Sequence, residues 1–136
     1  MTAQDQSTLR IIILQLTRAA ATSSAGRLLV DLGHEVTPAP LADDAIRHLE
    51  TERTDLVVID ADQLFDALDV LDRIGRLDPD LHPRVVAVLT DRGDTALAGL
   101  TRKVLSSRLR VFLKPLHLHG LLNVVRKLER QEMVDA

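Results

Sequence analysis

Three side chains that could take part in chemistry each follow a short apolar run of this 136-residue chain. Asp60 ends the run DLVVID, Thr90 ends RVVAVLT, and Lys114 ends LRVFLK. A carboxylate and an ammonium can form an ion pair, and an ammonium together with a hydroxyl can bind the oxygens of an anionic group. A lysine at a buried strand end needs a carboxylate partner. We therefore expect Asp60 and Lys114 to be in contact, directly or through one water, with Thr90 beside them.

Five apolar runs are the candidate strands that must position these residues. They cover residues 9–16, 34–39, 55–60, 84–90 and 109–114. Three of them are nearly continuous Ile, Val and Leu, which is typical of strands buried on both faces of a parallel sheet. The second run, HEVTPA, contains Pro38 and fits an edge strand better than a central one.

Segments of helical period separate the runs. Gly33 follows the first segment as a stop signal, and the third ends before Pro79. Strands that alternate with helices predict an α/β fold, a (βα)5 doubly wound parallel sheet with helices on both faces. In such folds ligands collect at the carboxyl ends of the strands, where Asp60, Thr90 and Lys114 lie. The predicted helical stripes cover residues 21–32, 42–49, 64–74, 97–105 and 118–128.

An Asp that ends the third strand, a Thr that ends the fourth and a Lys-Pro that ends the fifth resemble the receiver domain of bacterial response regulators. The resemblance covers nearly the whole chain, from about residue 9 to residue 128. It implies a flavodoxin-like sheet of order 2-1-3-4-5, with residues 9–130 as a single receiver-like domain and loose ends at 1–8 and 131–136. It further implies that Asp60 is the phosphoacceptor, Thr90 the hydroxyl residue and Lys114 the invariant lysine.

The metal that receivers use has no obvious ligands in this sequence. Receivers usually supply two acidic residues at the end of the first strand, where this chain has Gln15 and Leu16. No Asp or Glu occurs between Asp5 and Asp31. We expect no tight Mg²⁺ binding there, no other metal site and no cofactor. Two further acids beside the site could supply a missing ligand, although loop acids more often face solvent: Asp62 and Asp91.

The position of the aromatic switch residue in receivers is matched here by Val111. The stretch that follows Asp60 also lacks the Met-Pro and Asp-Gly pairs that receivers usually carry there. Because Val111 has no aromatic ring, the usual coupling between the Thr90 hydroxyl and a movable aromatic side chain is not possible here. Any signal transmission must use another device.

Basic residues cluster in the last third of the chain. A solvated face is one interpretation of such a cluster. The resemblance implies another, because these residues would fall on the fourth helix, fifth strand and fifth helix of the predicted fold, where receivers dimerise or bind partners. A histidine kinase, a downstream output protein or a second copy of the chain would then be the partner. The residues predicted for this face are Arg102, Lys103, Arg110, Arg126, Lys127 and Arg130.

Composition excludes several classes of protein. A net charge of −3 argues against direct binding of nucleic acid, and the absence of Cys excludes disulfides and thiolate sites. No apolar run approaches the roughly 20 residues that span a bilayer. We expect a cytoplasmic protein without membrane contact and without enzymatic activity.

Three functions remain open at this point. The first is a degenerate receiver that acts through protein–protein interaction, and the second is a working phosphoacceptor modified at Asp60 by a histidine kinase. The third is a flavodoxin-like domain that binds a small ligand or a flavin. The hydroxyl-rich loop 17–24 could cradle a phosphate, but the chain has no Trp or Tyr to flank a flavin.

Overall fold

The computed structural model describes residues 8–16, 24–92, 109–113 and 118–130, and the elements follow the predicted alternation of strands and helices. The predicted helix over 97–105 lies outside these residues, as do residues 1–7 and 131–136 of the two predicted loose ends. The strands are β1 (Arg10–Gln15), β2 (Glu35–Ala39), β3 (Leu56–Gln63), β4 (Val85–Arg92) and β5 (Leu109–Leu113). The helices are α1 (Ser24–Asp31), α2 (Ala42–Thr51), α3 (Leu64–Arg76) and α4 (Leu118–Glu129), and a short 3₁₀ turn covers Pro79–Leu81.

The five strands form one sheet in the order β2-β1-β3-β4-β5, and every neighbouring pair is parallel. This confirms the predicted α/β fold and its strand order. No helix in the described ranges is both long enough and apolar enough to cross a membrane.

The second strand lies at an edge of the sheet, as Pro38 predicts. The backbone N–H of Glu35 donates to the carbonyl of Leu9 at 3.0 Å. The backbone N–H and C=O groups of successive residues point to opposite sides of a strand. Because those of Glu35 face β1, those of Val36 and the carbonyl of Pro38 face the outer edge of the sheet. Because proline has no N–H, the outer edge of β2 offers one donor fewer to another chain.

Two layers of helix cover the sheet. On one face α2 and α3 pack over alternate residues of the central strands, with Leu49, Leu71 and Ile74 almost wholly buried. On the other face α1 and α4 pack over the intervening residues through Leu29, Leu121 and Leu128. The central strands are therefore buried on both sides, which explains their continuous runs of Ile, Val and Leu.

Two of the predicted strands extend further than expected. The run 55–60 was predicted to end at Asp60, but β3 continues to Gln63, and β4 continues past Thr90 to Arg92. The reason is that the two strands pair with each other beyond the end of β1, with Ala61 opposite Thr90 and Gln63 opposite Arg92. Asp60 is thus the last residue of β3 with a neighbour on each side.

Candidate functional site

Asp60 lies in a row of residues that crosses the sheet near its carboxyl edge. Its register partners are Gln15 on β1 and Leu89 on β4, and Leu89 is in turn opposite Phe112 on β5. Residues in one row of a parallel sheet direct their side chains to the same face. Asp60 therefore shares the face covered by α1 and α4 with the Gln15 amide.

The side chain of Asp60 is buried, with a relative exposure of 8%. Val57, Val58 and Ile59, which precede it on β3, have no exposed surface at all. A carboxylate at such a depth has to be balanced by hydrogen bonds or by a cation, because burial of an unpaired charge is costly. Asp60 thus places a largely buried carboxyl group near the carboxyl edge of the sheet.

The β1 side of the site is neutral. Gln15 is half-buried beside Asp60, and the backbone N–H of Leu16 donates to the carbonyl of Asp60 at 2.8 Å. The Leu16 side chain packs against the core under α2 and α3, on the opposite face of the sheet. The two positions that the sequence analysis matched to the acidic pair of receivers thus hold an amide and an aliphatic group. Within the described ranges no three acidic or histidine side chains come together to hold a metal ion.

The remaining predicted site residues are placed only in part. The backbone of Thr90 lies one row beyond Asp60, between Ala61 on β3 and Leu113 on β5. Lys114, the residue after Leu113, lies outside the described residues, as do the side chains of Asp62 and Asp91. The expected contact between Asp60 and Lys114 therefore stays a prediction. The hydroxyl-rich loop 17–24 is described only at Ser24, where α1 begins.

Comparison with known proteins finds solved structures of similar fold. No family model and no curated protein matches the sequence. A response regulator from Thermotoga maritima is 27% identical, with a TM-score of 0.65 over 90% of this chain and 99% of its own. A CheY-like response regulator receiver domain protein from Methanospirillum hungatei JF-1 is 17% identical, with a TM-score of 0.66 over 91% of this chain and 96% of its own. The receiver domain of NtrC4 from Aquifex aeolicus is 20% identical, with a TM-score of 0.58 over 87% of this chain and 94% of its own.

The chain has the fold of a response-regulator receiver domain. These matches extend over nearly the whole of each neighbour, so the likeness is to a complete receiver rather than to one βαβ unit. The order and register of the strands bring the ends of β1, β3 and β4 together in this receiver fold.

The predicted partner face of the receiver fold is also placed in part. Arg110 lies on β5 in register with Ala87, on the sheet face that α4 covers. The basic residues of α4 and of the turn after it are exposed or largely exposed, and the apolar side of that helix is buried against the sheet. Arg102 and Lys103 lie outside the described residues. The basic residues that the structure places on this side of the receiver fold are Arg110, Arg126, Lys127 and Arg130.

A buried polar cluster at the other end of the sheet was missed by the sequence analysis. His34 has a relative exposure of 8%, and its Nδ1 accepts a hydrogen bond from the backbone N–H of Leu9 at 3.1 Å. Its Nε2 therefore carries the hydrogen and donates to Glu129 Oε2 at 2.7 Å. The sequence gives little signal for this cluster, because 95 residues separate His34 from Glu129.

Proposed function

We propose that this receiver-like chain is a degenerate receiver, which acts in signal transduction mainly through protein–protein interaction and has weak or absent Mg²⁺-dependent phosphorylation. The observation that carries this proposal is the register of Gln15 with Asp60. The side chain beside the candidate phosphoacceptor is a neutral amide, and the next residue, Leu16, turns its aliphatic side chain into the core. In this proposal the chain is a cytoplasmic, non-enzymatic module.

The missing charge matters because of the reaction that Asp60 would undergo. A carboxylate oxygen would form a bond to phosphorus while the bond from phosphorus to the donor's leaving group breaks. The transferred group carries its negative charge on equatorial oxygens, which a divalent cation normally neutralises. Mg²⁺ prefers oxygen ligands and is usually held by carboxylates. An amide at Gln15 offers one neutral carbonyl oxygen, which supports only weak binding of the ion.

The proposed output surface is the basic side of β5 and α4. Arg126 and Lys127 project from the exposed side of α4. Arg110 lies on β5, on the sheet face that α4 covers. A surface of this charge suits a partner with an acidic face, because complementary charge speeds association and selects the partner. An output protein, a histidine kinase or a second copy of the chain would bind here.

The proposed interface is tested by charge reversal. The double variant Arg126→Glu, Lys127→Glu should bind more weakly to a partner protein that the wild type retains in an affinity pull-down. If the partner is a second copy of the chain, the double variant should self-associate less in sedimentation experiments. Arg76→Glu on α3 is the matched control, since Arg76 is exposed and pairs only with Asp72 at 3.1 Å among the described residues. Equal effects of the two variants would show that the basic side of α4 has no particular role in binding.

The metal-poor site is tested by thermal stability with Mg²⁺ and beryllium fluoride, which mimics a phosphoryl group. A ligand that binds only the folded protein raises the melting temperature by mass action. The melting temperature of the wild type should not rise with Mg²⁺ and beryllium fluoride. The melting temperature of the double variant Gln15→Asp, Leu16→Asp should rise. The single variant Gln15→Asp serves if the second acid disrupts the core beside Leu16. Adding Asp60→Asn to the gained site should abolish the shift, and a clear shift in the wild type would contradict the proposal.

A working phosphoacceptor is the second candidate function. The observation that favours it is the placement of Asp60 at the carboxyl edge, one row from the backbone of Thr90. Under this alternative a histidine kinase would phosphorylate Asp60 and the modified domain would bind its partner more tightly. Asp60→Asn would then abolish an interaction that a phosphodonor strengthens in the wild type.

A further inference from the structure

A cleft of about 310 Å³ opens between α1 and the edge of the sheet formed by β1 and β2. This volume lies at the lower end of the range of small-molecule sites, roughly 300–1,000 Å³. Its apolar lining comes from both layers, with Val30 on the helix and Ile13, Val36 and Pro38 on the strands. Asp60 itself is not among the residues that line the cleft, although its register partner Gln15 is.

The part of the chain that the structure describes covers the apolar surface of this cleft only in part. Leu29 on α1 is fully buried against the sheet, whereas the neighbouring Val30 is 55% exposed. Val36 packs only partly against the core below it. The helix therefore leaves an aliphatic strip uncovered along the edge strand, which a small aliphatic group could fill.

Two opposite charges stand one helical turn apart along the same cleft. Arg27 and Asp31 are at positions i and i+4 of α1, so they share a face of the helix, and both line the cleft. Neither side chain forms an ion pair within the part of the chain that the structure describes. The opposite charges therefore do not neutralise each other there.

The order of these charges is also unfavourable for the helix. The helix dipole favours acids near the amino end and bases near the carboxyl end, whereas Arg27 lies in the first half of α1 and Asp31 is its last residue. Residues that break a local rule without compensation within the fold are candidates for a role in binding. A ligand with an anionic and a cationic group would supply the missing partners.

We propose that this cleft binds a small aliphatic zwitterion, a dipeptide of the leucyl-leucine type. Its carboxylate would pair with Arg27, its ammonium with Asp31, and its side chains would cover Val30, Val36 and Pro38. Four residues of helix rise about 6 Å. The termini of an extended dipeptide are separated by up to about 7 Å, so the two spacings match.

The cleft also reaches the row of the candidate phosphoacceptor. Gln15 lines one end of it and is the register partner of Asp60. A bound ligand would therefore alter the surroundings of Asp60 without any phosphoryl transfer. This inference goes beyond the proposed function, since it depends neither on Mg²⁺ nor on the basic side of α4.

Titration of the ¹⁵N-labelled protein with L-leucyl-L-leucine, followed by NMR, tests the proposal. We expect saturable shifts of the amides of Ile13, Gln15 and Val36 and of the first turns of α1, with a smaller shift at Asp60. Arg27→Gln and Asp31→Asn should each weaken binding about tenfold, the effect of losing one charge-assisted hydrogen bond. Arg76→Gln and Asp72→Asn, a charged pair on α3, are matched controls that should bind the dipeptide like the wild type.

Two capped ligands make the test specific for a zwitterion. N-acetyl-leucyl-leucine lacks the ammonium, so it should bind the wild type about as weakly as the dipeptide binds Asp31→Asn. Leucyl-leucinamide lacks the carboxylate, so it should bind the wild type about as weakly as the dipeptide binds Arg27→Gln. Saturable binding that the capping or the two α1 substitutions leave unchanged would overturn the proposal. So would the absence of saturable shifts up to millimolar dipeptide. The spectra of the variants themselves report whether each still folds.

Discussion

The Asp60 carboxylate is held at 8% exposure beside an amide, so any positive charge that balances it comes from a residue other than its β1 neighbour. The sequence offers Lys114 for this role, the residue that directly follows β5 in the chain. A direct pair would fix the ends of β3, β4 and β5 in one arrangement. Its loss would leave a buried charge without compensation.

We therefore predict that Asp60→Ala lowers the free energy of unfolding by about 3–5 kcal/mol, the usual result of removing one partner of a buried pair. Urea unfolding of Asp60→Ala, Lys114→Met and the double variant measures this as a thermodynamic cycle. The double variant should be less destabilised than the sum of the single variants. Strict additivity would show that the two side chains do not interact.

His34 is the second residue whose polar contacts are buried. Replacement by Ala would leave the N–H of Leu9 without its acceptor, and an unsatisfied buried donor costs about 1–3 kcal/mol. Chemical unfolding of His34→Ala should show a loss of this size. Glu129→Gln should cost less, because the amide oxygen can still accept from Nε2 of His34. His48→Ala on α2 is the control and should cost less, since the His48 side chain is half-buried and forms no hydrogen bond or ion pair among the described residues.

At the scale of the elements, the turn between α1 and β2 depends on one glycine. Gly33 has a φ of 92°, a conformation that residues with a Cβ rarely adopt, and its N–H donates to the carbonyl of Val30 at 2.9 Å. A Cβ at Gly33 would meet no atom within 4 Å, so any cost of substitution arises from the backbone.

Gly33→Ala should therefore destabilise the domain by about 1 kcal/mol, the usual penalty for a left-handed residue with a Cβ. Gly33→Asn should lose less, because Asn tolerates this conformation better. Both values follow from thermal or urea unfolding. Equal losses for Ala and Asn would indicate that the backbone conformation is not the cause.

The elements themselves were largely predictable, because strands buried on both faces leave continuous apolar runs and amphipathic helices leave a stripe. Pro38 correctly placed β2 at the edge of the sheet. The ends of β3 and β4 were not predictable, since the extension to Gln63 and Arg92 depends on pairing between two strands beyond the end of β1. Within the predicted stripe over residues 64–74, Ala67 and Val70 are buried, whereas Leu68 is only half-buried.

The candidate site was predictable in position but not in its contacts. The carboxyl-edge rule for parallel sheets placed Asp60 and Gln15 at the same edge of the sheet, and the structure shows that they share one row. The link between His34 and Glu129 brings together residues 95 positions apart, and nothing in the local pattern of either residue indicates it. The cleft beside Val30 likewise depends on how far α1 stands from the edge strand.

At the scale of the whole molecule, the two ends of the sheet differ in character. The amino end is tied by side chains, since Asp55 accepts from the backbone N–H of Arg10 at 3.0 Å and His34 joins β1 to the end of α4. The carboxyl end carries the Asp60 row and the adjacent cleft. The proposed partner surface lies on α4, whose last residue, Glu129, is hydrogen-bonded to His34 at the amino end of the sheet. We therefore expect the conformation of this surface not to change with the state of Asp60.

Partner binding should therefore respond little to the state of Asp60. Asp60→Asn should leave the affinity of a captured partner within about twofold of wild type, a difference well below 1 kcal/mol. Surface plasmon resonance with and without a phosphodonor provides the comparison. A large loss of affinity in Asp60→Asn would indicate a phosphorylation-dependent switch.

Intact-mass spectrometry after incubation with acetyl phosphate and Mg²⁺ tests the central claim most directly. With a neutral Gln15 beside Asp60, the wild type should gain little or no phosphoryl mass, and it should resemble Asp60→Asn treated in the same way. Gln15→Asp should gain more of the modified form than the wild type. A wild-type protein that is largely converted to a form heavier by one phosphoryl group, with no conversion in Asp60→Asn, would contradict the proposal of a degenerate receiver.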